Sequence, residues 1–169
     1  MAAPRSTIRR LIYWEYAKLI SGSAVGNRAD YGFVSVTYHR LIHGRMNASS
    51  ILTENKRLCE AGDVCAYCGS TEPLHWEHIV PLAAKGPDSI DNMVRACRAC
   101  NLSKAARDPY QWYAARNQID EIPRLVLGKL LKVVFAEYER RGLLDDETFM
   151  KARQLRRITL CSVFALEEA

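Results

Sequence analysis

The sequence predicts an α+β chain in which two short strands sit between helical segments, and three observations carry that prediction. Two short runs containing β-branched residues, 74–80 and 93–96, lie near the middle with a loop of turn-forming residues between them. Apolar residues at helical spacing occupy both ends of the chain. Four of the six cysteines fall as two C-x-x-C pairs that bracket the strand runs.

Taken in order, residues 9–20 read as a helix with apolar Leu11, Ile12, Trp14, Leu19 and Ile20, ending in the turn-rich SGSAVGNRADYG. Residues 33–43 alternate only in part and are left untyped. Ser49 or Ser50 is the expected cap of a helix through Ile51, Leu52, Leu58 and Cys59, stopped by Gly62. The first strand, LHWEHIV at 74–80, ends at Pro81, and LAAKGPDSIDN forms a loop before the second strand. A helix then starts near the second cysteine pair and runs through Asn101, Lys104 and Arg107 to Asp108-Pro109. Residues 110–116 are expected to be helical. Residues 122–141 carry Leu125, Leu127, Leu130, Leu131, Val134, Phe135 and Tyr138 on a broad apolar face that stops at Gly142. Asp145 or Asp146 is the expected cap of a last helix through Phe149, Leu155 and Ile158. The resulting division is a mostly helical extension at 1–61, a strand–strand–helix core at 62–108 and a helical extension at 109–169, with no internal repeat.

The chain of 169 residues, 49% hydrophobic and 25% charged, is sized for one domain and excludes disordered and fibrous classes. No apolar run approaches the ~18 residues of a membrane span, since even LVLGKLLKVVF is broken by Lys129 and Lys132. The N-terminal stretch has only residues 11–14 as an apolar run before Glu15, too short for a secretory signal. A cytoplasmic location and no membrane partner are therefore expected. The net charge of +5 permits nucleic-acid binding without requiring it. From 94 to 106 the chain carries Arg95, Arg98 and Lys104 and no acid, and the N-terminal part adds Arg5, Arg9, Arg10, Arg28, Arg40 and Arg45. Most basic clusters are solvated faces, so charge alone leaves phosphate contact open.

The cysteine pairs Cys65/Cys68 and Cys97/Cys100 are separated by 28 residues, with Cys59 and Cys161 left over. Disulfides are not expected in a chain without an export signal, because the cytosol keeps thiols reduced. Two C-x-x-C knuckles instead supply the four sulfurs of a closed, tetrahedral, structural zinc site, and Gly69 just past Cys68 lets the backbone turn tightly there. Such a staple serves many kinds of protein and does not by itself specify a function.

Between the knuckles lies Glu77-His78-Ile79-Val80-Pro81, followed by Asp91-Asn92 and then by Cys97-x-x-Cys100-Asn101-x-x-Lys104. Over about residues 62–108 this resembles the HNH endonuclease family. The resemblance implies a ββα-metal fold, with His78 activating the attacking water; a neutral imidazole, with an ordinary pKa near ~6.5, suits that task. Glu77 stands where the family usually has an aspartate metal ligand. Its carboxylate still offers hard oxygen to Mg²⁺ or Mn²⁺, directly or through water, and a solvated strand residue or an orienting partner of His78 are the alternatives. Asn101 matches the metal-binding position on the helix, against the alternative of a helix cap. Asn92 matches the position that hydrogen-bonds the backbone and holds the loop, although in isolation D-S-I-D-N reads as an ordinary turn. Lys104, and more weakly Arg98 and Arg107, are candidates for contact with the nucleic-acid phosphates. His75 shares strand parity with Glu77 but is expected to pack or face solvent, and His39 and His43 receive no role.

The resulting expectation is a metal-dependent DNA endonuclease with structural Zn²⁺ and catalytic Mg²⁺ or Mn²⁺, its catalytic residues being His78, Asn92 and Asn101. Two rivals stand beside it: a zinc-dependent nucleic-acid-binding module that has lost catalysis through the glutamate, and a protein-docking surface formed by the C-terminal helices. A homodimer is left open. The motif is shared by restriction, homing, packaging and mobile-element nucleases, so it selects no particular substrate.

Overall fold

A computed structural model describes residues 5–47 and 62–167. The helix expected between Ser49 and Gly62, and Cys59 with it, lies outside the described residues.

The chain opens with α1, Ile8–Ala24, capped by Thr7, whose hydroxyl accepts from the Arg10 backbone N–H. Its buried Ile8, Leu11, Ile12, Tyr16 and Leu19 recur at three- and four-residue spacing and form one stripe. The helix continues through Ser21–Ala24, where turn-forming residues were expected to end it, because the Ser21 and Ser23 hydroxyls bond to backbone carbonyls and leave the helical ladder intact. Asp30 caps α2, Tyr31–Ile42, by accepting from the Phe33 N–H. Helix α1 packs against α2 on one side and against α5, Arg124–Arg140, on the other.

The middle of the chain is an antiparallel ribbon of β1, Leu74–His78, and β2, Met93–Cys97, with His78 opposite Met93 and Glu77 opposite Val94. Ladder hydrogen bonding extends one step past β1, where the Ile79 N–H donates to the Asn92 carbonyl over 2.7 Å. Helix α3, Arg98–Lys104, follows directly and lies against both strands. It ends where Ala105 adopts a positive φ of 50°, three residues short of the expected stop. Helix α4, Pro109–Ala114, begins in a capping box between Asp108 and Gln111 with Pro at its first position.

The C-terminal helix was expected to run on through Ile158. Instead Asp146 caps a short α6, Glu147–Ala152, and the chain breaks at Gln154 (φ 49°) before a 3₁₀ segment, Arg157–Ala165. That segment buries Leu160 and Val163 against α5, and the Tyr138 hydroxyl donates to the Leu160 carbonyl. Core side chains of both extensions and of the ribbon form one continuous cluster. Among the described residues no helix is long and apolar enough to cross a membrane.

Two residues fasten the strand–strand–helix unit and its first knuckle to the C-terminal part. Trp112 of α4 meets the Tyr67 ring edge-on at 5.2 Å and donates its indole N–H to the Ser103 hydroxyl. Lys129 of α5 is buried, and its ammonium donates to the carbonyls of Ile90 (3.0 Å) and Met93 (2.6 Å) at the start of β2.

Candidate active site and metal centre

The two knuckles converge. The Sγ atoms of Cys65, Cys68, Cys97 and Cys100 all lie within 4.8 Å of one another, and those of Cys68 and Cys97 are 3.7 Å apart. Tetrahedral sulfur ligands at ~2.3 Å from zinc would stand ~3.8 Å from each other, so the donor set fits such an ion. Burial pushes the Cys65 thiol up, but hydrogen bonds with the backbone of Cys97, Cys68 and Tyr67 outweigh it and bring the group to about 7. Burial raises the Cys100 thiol, and its close sulfur neighbours Cys68 and Cys97 raise it further. Four crowded thiols cannot all ionise without a cation among them, which is the chemistry of a metal cluster. Gly69 sits at φ 74°, the left-handed turn anticipated beside Cys68.

Alternation along β1 sends neighbouring side chains to opposite faces, so Glu77 and His78 part company. Glu77 turns inward. It is 6% exposed and both its oxygens are engaged: the Lys104 ammonium donates to Oε1 at 2.5 Å and the Tyr67 hydroxyl to Oε2 at 2.8 Å. Burial foremost, and then the neighbouring carboxylate, pushes the Tyr67 hydroxyl well above its ordinary range, so it remains a donor. The same Lys104 ammonium donates to the His78 carbonyl at 3.0 Å.

These contacts correct two expectations. Lys104 has no exposed surface and cannot meet a substrate phosphate in this arrangement; it acts inward because its position on α3 faces β1. Glu77 is not a solvated strand residue: it is buried, and each of its oxygens accepts one hydrogen bond. Asn101 lies inside α3, half-buried, with its carbonyl accepting from the Ala105 N–H, so it is not the helix cap; Cys97 holds the cap position.

His78 is partly open, its side chain 24% exposed, and its Nε2 lies 2.9 Å from Asp88 Oδ1. Asp88 comes from the loop between the strands, which Asn92 ties down. Fully buried Asn92 accepts from the Val80 N–H through Oδ1 (2.9 Å) and donates through Nδ2 to the carbonyls of Val80 and Pro87 (both 2.8 Å). The loop presses so closely on the segment just past β1 that a Cβ at Gly86 would lie 2.1 Å from the Val80 carbonyl oxygen. His75 is exposed, as expected. Arg98 is exposed on α3, whereas exposed Arg107 turns its guanidinium back to the carbonyls of Ser103 and Lys104 at the helix end. Asp88, Tyr67 and Gly86 were not singled out as site residues from the sequence; Asp88 read only as one more turn former in G-P-D-S.

A two-stranded ribbon followed by a helix, stapled by four thiols and carrying a half-open histidine at the strand's end, defines a ββα-metal domain. Residues 65–107, about a quarter of the chain, match the family model of the HNH endonucleases, and this segment is an HNH domain. Neither a curated protein nor a solved structure matches the chain.

Proposed function

We propose that this protein is a metal-dependent endonuclease that hydrolyses phosphodiester bonds in DNA, with His78 as general base and a structural Zn²⁺ held by Cys65, Cys68, Cys97 and Cys100. The observation that carries the reading is His78 itself: a partly solvent-open imidazole at the end of a strand, whose backbone is pinned by Lys104 and whose ring has a carboxylate partner. A histidine serving the core would be enclosed. One fixed by its backbone and open at its ring suits proton transfer from water.

In this reading the attacking water gives its proton to the His78 ring as its oxygen bonds to phosphorus, and the 3′ oxygen leaves, so the products carry 5′ phosphates as the resemblance implies. Exposed Arg98 meets the substrate backbone as positive charge, and exposed Arg107, its guanidinium now on the Ser103 and Lys104 carbonyls, is the weaker candidate. Asn92 acts at one remove by fixing the loop. Mg²⁺ or Mn²⁺ dependence comes from the family, which assigns the ion to Glu77 and Asn101.

One observation favours the rival. The closed Glu77–Lys104–Tyr67 cluster is what a zinc-stapled binding module without catalysis would keep. Cleavage of supercoiled plasmid by the zinc-loaded protein, with Mg²⁺, Mn²⁺ or EDTA, separates the two. Nicking or linearisation that requires the ion and falls ~10²–10⁴-fold in His78→Ala is the expected result. A folded, zinc-loaded protein that leaves plasmid, RNA and branched DNA intact would place the binding module first.

A further inference from the structure

The HNH motif leaves Asp88 without a role, yet of the described residues it alone partners the His78 ring. Its carboxylate is 73% exposed, which for an ordinary surface acid would mean a wandering side chain. The backbone on either side of it is nevertheless fixed by a single buried residue. Asn92 Nδ2 holds the Pro87 carbonyl at 2.8 Å, and the Asn92 backbone N–H holds the Ser89 carbonyl at 2.9 Å, so Asp88 is bracketed. Gly86, pressed on the Val80 carbonyl, fixes the loop one step earlier. A carboxylate on a clamped backbone is placed before the reaction begins, and little ordering remains to be done.

We propose that Asp88 is a positioning residue for His78, holding its ring in the Nε2–H tautomer and leaving Nδ1 as the nitrogen that takes the proton from water. The inference rests on the nuclease reading for its consequence but not for its geometry. A carboxylate only accepts hydrogen bonds, so its contact with Nε2 requires the proton there, and the lone pair of a neutral imidazole is then on Nδ1. The charged groups near His78 are Asp88 at its ring, the Lys104 ammonium at its carbonyl, and Glu77 beyond that ammonium. Of these, only Asp88 reaches the ring.

The test pairs a spectroscopic readout with a kinetic one on the zinc-loaded full chain. Long-range ¹H–¹⁵N correlations of the His78 ring, recorded about two units above the ordinary histidine pKa of ~6.5, report which nitrogen bears the proton. Wild type is expected to show Nε2–H. Asp88→Ala is expected to show a mixture of tautomers with unchanged zinc content, and kcat on plasmid falling ~10–100-fold at nearly constant KM. Asp88→Glu, which retains an acceptor, should recover much of both. A ring that stays Nε2–H in Asp88→Ala, or a kcat within twofold of an active wild type, overturns the proposal. If wild type itself cleaves nothing but the tautomer still shifts in Asp88→Ala, the orienting contact stands and the nuclease reading falls.

Discussion

Replacing Lys104 with methionine tests the inward role that the structure gives this residue. The ammonium makes two hydrogen bonds, to Glu77 Oε1 and to the His78 carbonyl, and the exposures of the paired side chains are 0% for Lys104 and 6% for Glu77. Removing one partner of a buried ion pair strands the other, at a cost of ~3–5 kcal/mol. Tyr67 still donates to the second Glu77 oxygen, which puts the expected loss near the lower end, ~3 kcal/mol. For a chain of this length that corresponds to a fall in Tm of about 6–12 °C. An exposed pair would be worth only ~0.2–1 kcal/mol. Adding Glu77→Gln removes the stranded charge, so the double variant should be more stable than Lys104→Met alone. The assay is thermal unfolding at fixed zinc concentration, with the salt dependence of DNA binding measured alongside. A phosphate contact would show the opposite pattern: stability unchanged, affinity lower, and the salt slope reduced by about one. A Tm within about 2 °C of wild type, a shift expected of a surface pair, would refute the buried pair as the basis of Lys104's role.

Two further predictions concern the metal centre and the loop. Cys97→Ser, or a strong chelator, should remove one zinc per chain and disrupt the ribbon, because structural zinc contributes ~10–16 kcal/mol of apparent binding energy to small domains; metal-free protein with an unaltered thermal transition would contradict a structural site. Gly86→Ala should cost ~1–3 kcal/mol, since the new Cβ meets rigid Val80 backbone at 2.1 Å and the loop must move. Cleavage should fall with it as Asp88 is displaced, and a denaturant midpoint equal to wild type would show that the loop does not press on Val80 as described.

The features legible in the sequence are those set by short-range spacing. Both strands and the four-thiol centre follow from residues a few positions apart or from fixed motif intervals, and the structure has each of them. Helix α2 resisted typing because its buried face is only Val34, Thr37 and Leu41, one of them polar, while Tyr31 and Val36 are exposed. The last helix ends before its expected limit, and nothing local marks Gln154 as the left-handed break. Harder still were the charged residues. Lys129 read as an interruption in an apolar run, and Lys104 as a phosphate contact, because a lysine's destination depends on carbonyls and carboxylates that the fold brings in from 26 to 39 residues away. Asp88 was overlooked for the same reason: its ten-residue separation from His78 is bridged only once the loop has folded back on Asn92.

The buried ammonium of Lys129 has a consequence for how portable the HNH motif is. The recognisable segment stops at residue 107, but the turn that opens β2 is satisfied from α5, and the knuckle tyrosine is covered by Trp112 of α4. Cutting the chain after the motif would expose the Ile90 and Met93 carbonyls and bare one edge of Tyr67, which also holds Glu77. Substitutions in the C-terminal helices are therefore constrained by the contacts that Lys129 and Trp112 make to the loop before β2 and to the first knuckle. A change at position 129 would be felt first not in its own helix but in the loop that presents Asp88 to His78.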